Sequence, residues 1–140
     1  MADALVLDTS ACLALLEDEA GADIVEAHLL EARAGRIALH GSFATLTEVE
    51  YITTQERGAG DAAEALGKMK AWPVQWHHSD DAMCSTAAKF KAAHKLSFAD
   101  SFVVALAQRL DATLIHKDPE MAALEGAVKQ RMLPPKSGAP

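Results

Sequence analysis

Short apolar runs alternate with longer amphipathic stretches along the chain. The first run, residues 4–7, ends at Asp8 and has the length of a strand buried on both faces, which favours a parallel sheet. Similar runs predict strands at 37–39, 74–76 and 113–115, with a weaker strand at 128–132.

Helical patterns separate these strands and are bounded by glycines or by residues that commonly cap helices. The predicted helices are 9–17, capped by Thr9 or Ser10; 21–34, stopped by Gly35; 45–57 and 60–69; 79–94, capped by Ser79 or Asp80; and 97–110, capped by Ser97. Because strands and helices alternate, we expect an α/β fold with a parallel sheet. We assign residues 1–133 to one domain and 134–140, which combine Pro, Gly and Ser, to a flexible tail.

The composition fits a small globular protein. With 140 residues, half of them apolar, the chain can bury one core of its own. Cys12 and Cys84 lie in apolar helical stretches and form no C-x-x-C pair. We therefore predict that both are reduced core residues and that they form neither a zinc site nor a disulfide. No apolar run approaches the roughly 20 residues of a membrane helix, and no signal peptide is recognisable. We therefore expect a soluble, cytoplasmic protein.

The formal net charge of −7 argues against a general nucleic-acid coat protein, because non-specific affinity comes from lysine and arginine neutralising phosphates. Local positive charge is still expected near the acidic residues considered next. Lys89, Lys91 and Lys95 precede Asp100, and Lys117 is adjacent to Asp118. A run of lysines on a helix is nevertheless more often a solvated face.

Four acidic residues are predicted to meet at one edge of the sheet. Asp8 directly follows the first strand, and Asp118 lies three residues beyond the strand at 113–115. Glu48 and Asp100 each fall in the first turn of a predicted helix. Because the carboxyl ends of parallel strands and the starts of the following helices share one edge, we expect the four carboxylates to converge there.

Each of these acids also has a purely structural interpretation. Glu48 stands three residues after Thr45, the spacing of a capping box, and Asp100 stands three residues after a serine. Asp8 suits a turn after a strand, and Asp118 precedes a proline that can begin a helix. Taken singly, an acid of this kind is more often a cap or turn residue than a ligand, but the joint arrangement favours a shared site.

A divalent cation is the natural occupant of such a site. Several carboxylates gathered without a cation repel one another and raise their pKa values. Mg²⁺ prefers oxygen ligands, and Mn²⁺ is a possible substitute. A hard cation can also promote attack of water on a phosphodiester, so the predicted reaction is metal-assisted phosphodiester hydrolysis.

At this point four short motifs, in order, resemble a known family. They are Leu-Asp8-Thr-Ser10, Ser42 followed by Leu-Thr-Glu48-Val, Leu-Ser-Phe-Ala-Asp100, and Ala-Thr-Leu-Ile-His-Lys-Asp118. Together they look like a PIN domain, and specifically like a VapC-type toxin nuclease, from Leu5 to about Met132. The resemblance implies an α/β/α sandwich with a mainly parallel sheet.

The resemblance also implies a function. It implies an endoribonuclease in which Asp8, Glu48, Asp100 and Asp118 form a Mg²⁺ or Mn²⁺ site and Ser10 orients a water or a ligand. Stand-alone members of this size are typically toxins of toxin–antitoxin pairs. They are commonly homodimers, held inactive by a cognate antitoxin whose C-terminal segment fills the groove by the active site.

His116 departs from the family pattern, which usually has Thr or Ser two residues before the last acid. The imidazole can contact phosphate or protonate a leaving group near neutral pH. The simpler interpretation is that it occupies a strand end.

In the predicted helix 97–110, Phe98 and Phe102 follow helical spacing. We predict that they are core residues, with a homodimer interface as a second possible use.

Two other functions remain open from the sequence. Asp8 after a buried strand also resembles the phosphate-accepting aspartate of haloacid-dehalogenase phosphatases and receiver domains. These phosphatases normally have a second aspartate two residues on, where this chain has Ser10. The second alternative is a catalytically silent PIN-like module that binds RNA or a partner protein, which the acidic net charge keeps open.

Overall fold

The computed structural model describes residues 3–135. Within them the strands are β1 Asp3–Leu7, β2 Ile37–Ser42, β3 Val74–His77, β4 Thr113–His116 and β5 Gln130–Met132. The α-helices are α1 Thr9–Leu16, α2 Ala22–Arg33, α3 Phe43–Arg57, α4 Ala59–Ala71, α5 Asp81–Ala93 and α6 Phe98–Leu110. A short 3₁₀ helix, Pro119–Leu124, connects β4 to β5.

The five strands form one sheet in the order β3-β2-β1-β4-β5, and every neighbouring pair is parallel. The expected parallel sheet is therefore confirmed. The order reverses between β1 and β4, where the connections leave in opposite directions and open a crevice at the carboxyl ends of the strands. The N–H of Asp8 donates to the carbonyl of Ile115 at 3.1 Å, so the pairing of β1 with β4 continues up to this crevice.

Helices cover both faces of the sheet, which gives the expected α/β/α sandwich. Successive strand side chains point to opposite faces. Val6 and Leu114 pack with residues of α5, α6 and the 3₁₀ helix, whereas Leu7 and Ile115 pack with residues of α1, α2 and α4. Strands buried on both sides explain why the sequence runs at β1 and β4 are almost continuously apolar.

Strand β2 is three residues longer than the predicted 37–39. His40, Gly41 and Ser42 lack the apolar character of a buried strand, but they pair with β3. Trp76 packs so closely over Gly41 that a Cβ at this position would overlap the indole ring. Gly41 is therefore required by the packing of Trp76 from the next strand.

Two helix starts differ from the predicted ones. Asp8, rather than Thr9 or Ser10, caps α1, and Ser42, rather than Thr45, caps α3. Helix α3 thus begins earlier, and Glu48 lies in its second turn instead of its first. In contrast, the predicted caps Asp80 of α5 and Ser97 of α6 are confirmed.

The environments of two residues also differ from the sequence predictions. Cys84 is exposed, although Cys12 is buried as expected. Phe98 is 69% exposed and is not a core residue, whereas Phe102 is buried. Most of the predicted tail, residues 136–140, lies outside the described residues. Among the described helices, none has the length and apolarity to span a membrane.

Candidate active site

Asp8 directly follows strand β1 and lies in the crevice where the strand order reverses. The side chain is only 3% exposed. It caps α1 by accepting the N–H of Ala11 at 2.8 Å, and the Ser10 hydroxyl lies 2.7 and 2.9 Å from its two oxygens. The structural alternative for Asp8 was a turn residue after the strand; the structure makes it the helix cap instead, which fixes the carboxylate in the crevice.

Burial, with a smaller contribution from the negative charges of Asp100 and Asp118, raises the pKa of Asp8 to about 7. The hydrogen bonds from Ala11 and Ser10 act in the opposite direction because they favour the ionised form. Burial nevertheless dominates. The fold keeps a carboxylate in a place where, without a cation, its charge is unfavourable at neutral pH.

Ser10 connects Asp8 to the segment after β4. Its hydroxyl oxygen accepts the N–H of Lys117 at 2.9 Å while its proton points to Asp8. The side chain of Lys117 leaves the site, since its Nζ donates to the carbonyl of Ala20 at 2.8 Å and lies 3.7 Å from Glu19. The positive charge that the sequence led us to expect beside Asp118 is therefore used to hold the turn between α1 and α2.

Lys91 is another lysine that the sequence places near the acids. Its Nζ donates to the carbonyl of Leu96 at 2.8 Å, in the loop between α5 and α6. Lys89 and Lys95 are exposed. Of the three lysines before Asp100, one holds a loop and two are solvated. This agrees better with a solvated helix face than with positive charge directed at the site.

Asp118 follows β4 and caps the 3₁₀ helix, with its Oδ1 accepting the N–H of Glu120 at 2.9 Å. Its own N–H donates to Nδ1 of His116 at 3.1 Å. The other ring nitrogen, Nε2, lies 2.8 Å from Oε1 of Gln130. Because Nδ1 accepts a backbone N–H, this network requires the neutral ring with its proton on Nε2.

His116 is only 1% exposed and both of its ring nitrogens have partners. It therefore cannot reach a substrate phosphate in this arrangement, and the interpretation of His116 as a strand-end residue is the one that fits. Gln130 was not singled out from the sequence. One polar residue at the start of a short strand gives no signal of a contact 14 positions away.

Asp100 stands in the first turn of α6, as predicted, and its N–H donates to the Ser97 hydroxyl at 3.1 Å. Partial burial raises the pKa of Asp100, and the charges of Glu48 and Asp118 add to this increase. Glu48 reaches the same region from the second turn of α3. Its Oε2 lies 3.4 Å from the hydroxyl of Tyr51, an exposed aromatic that the sequence analysis missed.

The four predicted acids form one electrostatic group. Asp100 is coupled to Glu48 and Asp118, and Asp8 is coupled to Asp100 and Asp118. They do not form a ready-made cage, because no three His, Cys, Asp or Glu side chains within residues 3–135 stand in a geometry that could hold an ion. The donor set is nevertheless all carboxylate oxygen, which suits Mg²⁺ or Mn²⁺, and a cation would relieve the repulsion that contributes to the raised pKa values of Asp8 and Asp100.

The model of the PIN domain family matches residues 5–127. The chain belongs to the PIN domain family. This match includes the end of β1 from Leu5, all of β4 and the four predicted acids. No curated protein sequence matches the chain.

Solved structures share the fold of this PIN domain over nearly their whole length. VapBC2 from Rickettsia felis, bound to a DNA fragment of its promoter, has a TM-score of 0.76 at 12% identity, with 94% of this chain and 99% of that chain covered. VapC20 from Mycobacterium tuberculosis, a toxin that cleaves the sarcin-ricin loop, has a TM-score of 0.70 at 18% identity, with 93% and 99% covered. VapBC-1 from nontypeable Haemophilus influenzae has a TM-score of 0.68 at 15% identity, with 92% and 97% covered. At these identities the likeness concerns the fold of the PIN domain.

Proposed function

We propose that this PIN domain protein is a Mg²⁺- or Mn²⁺-dependent endoribonuclease and the toxin of a toxin–antitoxin pair. The observation that carries the proposal is the buried Asp8 at the strand-order reversal, with a pKa raised to about 7 and three more acids around it. A buried carboxylate that is costly to ionise is expected where a cation binds. The VapC20 toxin, which shares the fold, cleaves RNA at the sarcin-ricin loop and supports the choice of substrate class.

In the proposed site, Asp8, Asp100, Asp118 and Glu48 hold the cation. When bound, such a cation supplies Lewis acidity toward the scissile phosphodiester and makes a water easier to deprotonate. Ser10 keeps the carboxylate of Asp8 oriented through its 2.7 and 2.9 Å contacts. We therefore assign Ser10 a positioning role, in line with the orienting role that the resemblance implies, here toward a carboxylate of the proposed metal site.

Four basic residues of the chain are already engaged within the protein and are less available to bind RNA. Lys117 and Lys91 are hydrogen-bonded to backbone carbonyls of the same chain. Arg57 pairs with Glu17, and Arg109 pairs with Asp80. An enzyme of this charge is expected to bind RNA with few phosphate contacts, and therefore with a shallow dependence on salt concentration.

A groove of about 480 Å³ beside Ser10 supports a cognate antitoxin as the proposed partner. Apolar side chains of Leu13, Ile52 and Pro119 line it together with acidic side chains of Glu17, Glu19 and Glu56. This combination suits an extended peptide segment that carries both apolar and basic residues. An antitoxin segment in this groove would lie next to the acids and block access to them.

Homodimerisation and a cytoplasmic location also belong to the proposal. Phe98 is exposed beside an apolar groove of about 230 Å³ between α5 and α6, which offers a surface for self-association. Light scattering of purified wild-type protein and of Phe98→Glu tests this part. A dimer that becomes a monomer in the variant is the expected result.

The test of the proposed activity uses purified protein freed of any antitoxin. It is incubated with total cellular RNA in Mg²⁺, in Mn²⁺ and in EDTA, and Asp8→Asn serves as the control. Discrete fragments that disappear with EDTA and in the variant are expected. No cleavage by folded protein with either cation would favour the catalytically silent binding module. A trapped aspartyl-phosphate would instead favour the phosphatase or receiver alternative.

A further inference from the structure

A chain of side-chain contacts runs from strand β5 to Asp118. Nε2 of Gln130 donates to the carbonyl of Met121 at 2.9 Å, which orients the amide so that its Oε1 faces His116. His116 donates to that oxygen through Nε2 at 2.8 Å and accepts the N–H of Asp118 through Nδ1 at 3.1 Å. Each member therefore fixes the donor and acceptor roles of the next.

We propose that Gln130 and His116 are positioning residues that hold the backbone of Asp118 so that its carboxylate is presented to the cation. This inference rests on the proposed function, because it assigns a metal-binding role to Asp118. It goes further in naming a residue of the edge strand, outside the acidic group, on which the affinity for the cation depends.

The connection is specific to Asp118 and is not needed for strand pairing. Backbone hydrogen bonds already join β4 to β5 on both sides of the contact between His116 and Gln130. The N–H of Leu114 donates to the carbonyl of Lys129 at 2.8 Å, and the N–H of Leu133 donates to the carbonyl of His116 at 2.7 Å. The side-chain connection adds a contact to a residue beyond the end of β4. Its energetic effect is therefore expected at the site rather than in the sheet.

The segment after β4 is held from two sides. The N–H of Lys117 donates to Ser10, which is bound to Asp8. The N–H of Asp118 donates to His116. The first contact aligns this segment with β1, and the second aligns it with β5. If either contact is lost, Asp118 can move relative to Asp8 while the strands stay paired.

The first test measures Mn²⁺ binding by electron paramagnetic resonance on the full chain. Gln130→Met keeps the length of the side chain but removes both hydrogen bonds. Because partners of metal-binding groups typically change metal affinity by about 10- to 100-fold, we expect at least a tenfold weaker affinity for Mn²⁺. Gln75→Met is the matched control, since Gln75 is exposed on the opposite edge strand β3. It should leave the affinity unchanged.

A rescue experiment separates positioning from a general effect on folding. In His116→Thr, a hydroxyl can accept the N–H of Asp118 without help from Gln130. Adding Gln130→Met to this background should therefore weaken Mn²⁺ binding less than twofold. A full tenfold loss in both backgrounds would overturn the proposal, because Gln130 would then act by another route.

A measurement on the wild-type protein needs no variant. The ¹⁵N chemical shifts of His116 should show a protonated Nε2 and an unprotonated Nδ1, and protonated Nδ1 would overturn the proposal. The binding data separate the two levels of the argument. Wild-type protein that binds no Mn²⁺ would overturn both the metal site and the positioning role, whereas equal binding by wild type and Gln130→Met would overturn the positioning role alone.

Discussion

Asp8 and Asp118 lie one and two residues beyond the ends of the paired strands β1 and β4, whereas Glu48 and Asp100 stand on helices α3 and α6. The carboxylates of the first pair accept backbone N–H groups, at 2.8 Å for Asp8 and 2.9 Å for Asp118. The carboxylate of Glu48 has a single contact, 3.4 Å from the hydroxyl of Tyr51. The strand pair is therefore fixed by the fold, and Glu48 has more freedom to move.

This difference explains why the charges of the four acids act on one another although, among residues 3–135, their side chains are not arranged to bind a metal ion. Parallel pairing fixes the backbone at the strand ends, and capping fixes the two carboxylates. The helix-borne carboxylates contact side-chain hydroxyls instead, that of Ser97 for Asp100 and that of Tyr51 for Glu48, and they can turn away from like charge. A cation is expected to draw the helix pair toward the strand pair, so the two pairs should respond differently to substitution.

The largest effect is expected from Asp8→Asn. The amide keeps the size of the side chain and an oxygen for the N–H of Ala11, but it removes the charge that holds the cation. Since metal-ion catalysis contributes several kcal/mol, the loss of cleavage rate should be about 1000-fold or more. Single-turnover cleavage of the target RNA measures this, with circular dichroism to confirm folding. Activity within tenfold of wild type would remove Asp8 from the site.

The second prediction concerns the pH dependence of stability without metal. The pKa of folded Asp8 is about 7, above the roughly 3.9 of an unfolded aspartate, so the folded state holds this proton more tightly. The resulting stabilisation is fully present below about pH 4 and is lost as the pH rises through 7. It amounts to at most about 4 kcal/mol, since one pKa unit corresponds to about 1.4 kcal/mol.

Urea unfolding in EDTA between pH 4 and pH 8 checks this expectation. The free energy of unfolding of the wild type should fall across the window, and Asp100, whose pKa is also raised, should add to the decrease. Asp8→Asn should show a flatter profile and be more stable than wild type at pH 8. Parallel profiles for the two proteins would mean that Asp8 ionises freely in the folded state.

Ser10→Ala tests how the strand pair is fixed. The change leaves the N–H of Lys117 without its acceptor and removes the hydroxyl that faces both oxygens of Asp8. A buried group left without its partner typically costs about 1–3 kcal/mol, so we expect a loss of this size in the free energy of unfolding. Ser85→Ala, on the exposed face of α5, is the control and should change stability by less than about 0.5 kcal/mol. If the two variants are equally stable, the Ser10 contacts do not hold the strand ends.

The sequence predicted the positions of the acids at the edge of the sheet better than the side-chain contacts between them and their neighbours. Asp8 and Asp118 could be placed at one edge because apolar runs mark strands and parallel strands end together. The cap of α3 was misplaced at Thr45, since both Thr45 and Ser42 are of residue types that commonly cap helices. Only tertiary packing decides that Thr45 is buried, where its hydroxyl lies 3.3 Å from that of Thr9.

The roles of Lys117 and His116 could not be obtained from the sequence for the same reason. A lysine next to an acid has several possible partners, and the structure pairs it with the carbonyl of Ala20, 97 positions away. The donors and acceptors around His116 depend on Gln130, which packing brings beside it. Local patterns fix the backbone direction of these residues, but the partner of a long polar side chain depends on which elements become neighbours.

The smallest effect is expected from Glu48→Gln. Because the helix-borne carboxylate is half-buried and has one weak contact, its neutralisation should change the free energy of unfolding by less than about 0.5 kcal/mol. The affinity for Mn²⁺ should fall by about tenfold, no more than is typical for the loss of a group that only supports the ligands, because a mobile carboxylate contributes less than a fixed one. Glu50→Gln, exposed on the same helix, is the control and should change neither quantity. A loss of affinity as large as that of Asp8→Asn would mean that the helix pair is held as firmly as the strand pair, and the contrast between them would fail.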